Sequence, residues 1–132
     1  MMQWPVATDG QTLRLTWAAL GTIIVAAIVY LSTAQIDLPA EGGADKGEHL
    51  LAYAVLTFWW AQLVVERRAR CVVAIAAIGL GIVMEFTQSL LPYRSAELAD
   101  AVASAAGALI GWAAAPPRTP NIVTHLTKVL HR

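Results

Sequence analysis

The chain has 132 residues, 58% of them apolar and only 14% charged, and its nine basic and nine acidic side chains cancel to zero formal charge. Soluble domains usually run about 45–50% apolar and about 25% charged, so the balance points to a single membrane domain rather than a soluble one. Zero net charge leaves no basic footprint for nucleic acid, and the lone Cys71 excludes an internal disulfide or a cysteine metal cluster.

Four apolar stretches, at about 15–34, 48–66, 71–91 and 98–115, are each near the roughly 20 residues needed to cross a bilayer. The first contains no charge. Arg14 in front of it and "STA" before Gln35 are features of a secretory signal. Its apolar run exceeds the roughly 7–15 residue core of such signals, so it is expected to remain as a transmembrane helix.

The second stretch opens at "ADKGEH", where Asp45 and Glu48 have the spacing of a capping box with Asp45 as N-cap. Trp59 and Trp60 near its far end read as packing or lipid contact. The third follows "ERRAR", read as a loop, and is interrupted by Glu85, Thr87, Gln88 and Ser89. The fourth is rich in alanine and glycine. The Gly107 and Gly111 stripe, like Gly79 and Gly81 in the third, suits close helix approach. In the tail, 116–132, Ile122, Val123, Leu126, Val129 and Leu130 recur at helical spacing with His125, Lys128 and His131 between them. This predicts an amphipathic helix on the inner surface, with a frayed tail as the alternative. Trp4, Trp17 and Trp112 fit an aromatic belt near that surface.

The expected fold is therefore all-α: one domain over 1–132, a compact four-helix transmembrane bundle whose short connections make sequence neighbours antiparallel. Arg67, Arg68 and Arg70 in the middle connection, Arg118, Lys128 and Arg132 in the tail, and Arg14 mark one side, whereas the other connections hold Lys46 and Arg94. Positive charge marks the cytoplasmic side, which predicts both termini inside.

Asp45, Lys46, His49, Tyr53, Glu85, Gln88, Arg94 and Asp100 then gather on the outer side, from three separate junctions. Lys46, His49 and Tyr53 share one helical stripe, as do Glu85 and Gln88, and as do Asp100 and Ser104. Carboxylates facing lipid are costly, so these stripes should face the bundle interior, with Lys46 and Arg94 as partners for Glu85 and Asp100. A buried structural network is the plain alternative.

"DKGEHLLAY", "EFTQSLLPYR" and "AELADAVASAAGALIG" together resemble the VanZ-like family of small bacterial membrane proteins, over about residues 30–112. The matching positions are Asp45, Lys46, His49, Tyr53, Glu85, Gln88, Pro92, Arg94, Asp100 and Gly107, while Tyr93 and Ser104 depart from the family's usual glycine and asparagine. The resemblance implies a multi-pass protein of the bacterial plasma membrane, with a role in envelope integrity or glycopeptide resistance.

Two functional readings follow. In the first, the chain is a non-enzymatic module whose outer pocket binds an anionic or sugar-bearing headgroup of an envelope lipid or glycan, or an envelope protein. Asp45, Lys46, Tyr53, Gln88, Arg94 and Ser104 would be its binding residues, with Lys46 and Arg94 on phosphate or carboxylate. In the second, it is a membrane-embedded enzyme acting on a lipid-linked envelope precursor, with His49, Glu85 and Asp100 as acid–base residues. No G-x-S-x-G or H-E-x-x-H motif is present. Neither a cofactor nor a metal is expected, although His49, Glu85 and Asp100 form a mixed nitrogen and oxygen set that several metals accept.

Overall fold

The structure is a computed structural model that describes residues 9–35 and 44–130. Trp4, His131 and Arg132 lie outside the described residues. The fold is all-α, with α1 (Asp9–Thr33), α2 (Ala44–Ala61), α3 (Arg67–Ser89), α4 (Leu98–Ala114) and α5 (Ile122–Leu130).

Several boundaries differ from the apolar stretches. The N-terminal ends of α1 and α3 lie upstream of them, because polar residues continue a helix into water without cost to its backbone bonds. Arg67, Arg68 and Arg70 therefore form the first turn of α3, not a loop. Likewise α2 starts at Ala44, so Asp45 lies inside its first turn instead of at the N-cap, where its charge still favours the positive end of the helix. Instead of reaching residue 66, α2 stops at Ala61, and short backbone bonds from Gln62 to Trp59 and from Leu63 to Trp60 tighten its end. Pro92 has no amide proton and restricts the residue before it, and α3 ends at Ser89.

The closest packing is between α2 and α4, which share the most extensive helix contact. A methyl group on Gly107 would collide with the backbone carbonyl of Leu50, and one on Gly111 with that of Ala54. Both pairs are spaced i, i+4, so one glycine stripe lies along one row of carbonyls. Gly81 of α3 faces the side chain of Ser104 on α4, whereas Gly79 has nothing near it. A modest core of Ile28, Tyr53, Leu56, Ala77 and Ala108 fills the centre.

Against α2, α1 is held by indoles. The Trp17 and Trp59 rings stack with centroids 4.0 Å apart and planes 12° from parallel. Each indole N–H donates to the other residue's backbone carbonyl, at 2.9 Å from Trp17 and 2.8 Å from Trp59. Gly21 leaves room for Trp59 and Trp60. Arg14 donates to the Leu63 carbonyl at 2.8 Å, just past the end of α2.

The tail forms a helix. Asn121 caps α5 by accepting the Thr124 amide at 2.9 Å, and Gln62 ties it to the bundle by accepting the Ile122 amide. Val123 is buried beneath it, while Leu126, Val129 and Leu130 stay exposed.

Two helices, α1 over Gly10–Thr33 and α3 over Arg67–Ser89, are long and apolar enough to cross a bilayer; α4 is apolar but shorter. Leu15, Ile23, Ile75, Ile82, Phe86 and Val102 are all more than half exposed. An apolar exterior of this extent marks a surface meant for lipid or for another protein.

The glycine contacts are testable. Gly107→Ala and Gly111→Ala each press a methyl group into a backbone carbonyl that cannot swing aside, so each is expected to destabilise the protein by about 1–3 kcal/mol. Gly79→Ala meets nothing and is expected to be neutral or stabilising by up to about 1 kcal/mol. Thermal unfolding in a neutral detergent separates them, and equal melting of Gly107→Ala and Gly79→Ala would contradict this packing.

Candidate functional site

The polar end of the bundle, where α2 and α4 begin and α1 and α3 finish, carries two separate networks. The first joins α2, α3 and α4. Lys46 Nζ lies 3.0 Å from Glu97 Oε2 and 3.8 Å from Asp100 Oδ1. The hydrogen bond to Glu97, and then its charge, hold the Lys46 ammonium above the usual lysine pKa. His49 Nε2 is 3.9 Å from Glu85 Oε1, and Glu85 Oε2 accepts the Glu97 amide at 3.1 Å. His49 Nδ1 lies 2.9 Å from the Asp45 backbone carbonyl. A carbonyl can only accept, so Nδ1 carries the proton in the neutral ring, and the lone pair on Nε2 is turned toward Glu85.

The sequence stripes thus do converge: Asp45, Lys46, His49, Glu85 and Asp100 form one cluster, connected through Glu97. Asp100 is only 2% exposed, Ser104 1% and Tyr53 2%. The Tyr53 hydroxyl, Asp100 Oδ1 and Ser104 Oγ have no hydrogen-bond partner among the described residues. Gly81 brings the three helices close enough that Ser104 and the Tyr53 ring both border the same point on α3.

The second network holds the end of α1. Its final carbonyls lack amide partners within the helix. Gln88 donates to Ser32 O at 3.0 Å and Tyr93 to Thr33 O at 3.0 Å. Arg94 donates to Leu31 O at 2.6 Å and to Ala34 O at 3.0 Å. A cation at a helix C-terminus also complements its dipole. The expected pairing of Arg94 with Glu85 or Asp100 is therefore replaced. A turn closed by the bond from the Arg94 amide to Leu91 O, with Pro92 at its second position, directs Arg94 to α1. Glu85 likewise pairs with neither Lys46 nor Arg94; it faces His49 and takes the Glu97 amide.

Glu97 escaped the sequence reading although it contacts both Lys46 and Glu85. Its signal was present: it precedes Asp100 by three residues, at the N-cap of α4. A group that could hold a metal ion is also present, and it differs from the His49, Glu85 and Asp100 set. Asp45, His49 and Asp100, without Glu85, bring one ligand atom each within 4.8 Å of one another. The nearby Lys46 ammonium already supplies positive charge to Asp100.

No family model matches the chain, and neither a curated protein nor a solved structure matches it.

The clamp on α1 yields a prediction. Arg94→Met removes two charge-assisted bonds to carbonyls and is expected to cost about 1–3 kcal/mol, whereas Tyr93→Phe, at an exposed position, is expected to cost about 0.5–1.5 kcal/mol. Amide hydrogen exchange in the last turn of α1 should accelerate in Arg94→Met. Unchanged exchange there would show that the clamp does not hold the helix.

Proposed function

We propose that the chain is a multi-pass protein of the bacterial plasma membrane, a four-span VanZ-like bundle with both termini cytoplasmic, whose outward site binds the hydroxyl-rich headgroup of a lipid-linked envelope glycan. The observation that carries this reading is that buried atoms on Tyr53, Asp100 and Ser104 make no hydrogen bond among the described residues, Asp100 Oδ1 having only the Lys46 ammonium at 3.8 Å. Sugar hydroxyls both donate and accept, which suits two hydroxyls and a carboxylate. Leaving such groups unmatched costs about 1–3 kcal/mol each, a cost that a bound polyol relieves. An anionic headgroup fits less well, because Lys46 is committed to Glu97 and Asp100, and Arg94 to α1.

The family assignment rests on the sequence motif, and the membrane setting on the apolar exterior. The orientation rests on the concentration of arginine at the opposite end of the bundle. Reporter fusions at Ser95 should register outside and those at Arg68 inside; a cytoplasmic signal at Ser95 would reverse the orientation and with it the outward site.

A second reading, proton-transfer catalysis on the same lipid-linked substrate, is favoured by the His49 geometry. With Nδ1 bound to a carbonyl, Nε2 is free to take a proton, and Glu85 Oε1 at 3.9 Å is placed to exchange it through one water or a substrate hydroxyl.

Native mass spectrometry of protein purified from bacterial membranes tests both readings. The binding reading expects co-purified glycolipid that is lost from folded His49→Ala and Asp100→Asn proteins. The catalytic reading expects His49→Ala to retain glycolipid and to lose its conversion over time. Equal retention with no conversion in any of the three proteins would end the case for a site at this end.

A further inference from the structure

We propose that the opposite end of the bundle carries a phosphate-binding pocket, built on Arg70 with Arg67 and Arg118. A cavity of about 230 Å³ is lined there by Arg67, Arg70, Trp112, Pro116, Pro117 and Arg118. Arg70 is only 8% exposed. Among the described residues its Nε has no hydrogen-bond partner, and none of the ion pairs involves Arg67, Arg70 or Arg118. A buried guanidinium without a counter-charge is strongly unfavourable, and proteins normally pair such a group or place it at a ligand.

The surroundings favour an anion in the form of a phosphate. Arg67 and Arg70, three apart in the first turn of α3, lie on the same side of the helix. The N-cap residue Glu66 makes no side-chain cap, so the first-turn amides of α3 are not closed off by it. A helix N-terminus and convergent guanidinium groups are together suited to phosphate oxygens. Arg118 is held ready: its guanidinium carbon lies 5.6 Å from the centre of the Trp112 ring, and it donates to Ala113 O at 3.2 Å, which leaves its other N–H groups available. The pocket shares no residue with the polar end and stands whether or not the glycan reading holds.

Phosphate oxygens reach such a pocket from a soluble phosphate or from a phospholipid headgroup. The full chain in a maltoside detergent, free of phosphate, is titrated calorimetrically with inorganic phosphate and, separately, with dihexanoyl phosphatidic acid. Saturable binding of at least one probe is expected, weakened about tenfold or more in Arg70→Gln and unchanged in Arg68→Gln, which removes the same charge outside the pocket. Binding of inorganic phosphate assigns a soluble anion, and binding of the lipid alone assigns a headgroup. Arg70→Gln also removes an uncompensated buried cation, so it is expected to melt no lower than the parent without phosphate and to lose any phosphate-induced rise in melting temperature. Should it fail to fold, Arg67→Gln carries the same expectation of weaker binding. No saturable binding of either probe, or full affinity in the folded pocket variant, overturns the proposal.

Discussion

The close approach of α4 to α2 is the constraint on which the polar end depends. Gly107 and Gly111 lie against the carbonyls of Leu50 and Ala54, and this contact sets both the spacing and the rotation of the two helices. Small residues at such a face let two helix backbones approach closely. With that rotation set, Asp100, seven residues before Gly107, comes beside Lys46, four residues before Leu50. Glu97, one turn earlier, reaches Lys46 from the same helix end. Gly81 then admits α3 against Ser104 and brings Glu85 toward His49.

Joined to this trio by its ends, α1 takes the Trp17 and Trp59 pair and the Arg14 bond at one end, and Gln88, Tyr93 and Arg94 on its terminal carbonyls at the other. The clamp gives the site its electrostatic character. It removes Arg94 from the acidic cluster, leaving Asp45, Glu85, Glu97 and Asp100 with only Lys46 and His49 among them in the described residues.

Much of this was legible because helix periodicity and apolar composition act locally. The helical character of every element and the glycine stripe on α4 follow from spacing along single helices, and the gathering of His49, Glu85 and Asp100 from short connections that bring three helix ends to one side. Partner choice was not legible. The destination of Arg94 depends on the turn around Pro92, and that of Lys46 on how α2 and α4 rotate against each other. Hydropathy also hid the polar first turns of α2 and α3, and so placed Arg67 and Arg70 in a loop where no shared face could be seen. Gly79 and Gly81 show the same limit: two glycines two residues apart face different directions, and only one meets a neighbour.

The Trp17 and Trp59 pair gives the molecule an intrinsic optical reporter. Two indoles stacked at 4.0 Å are close enough for their transition dipoles to couple, so their near-ultraviolet signal differs from that of isolated indoles. The signal exists only while α1 is docked on α2. It arises at the end of the bundle away from His49 and Asp100, so displacement of α1 can be followed without a label and separately from events at the polar site.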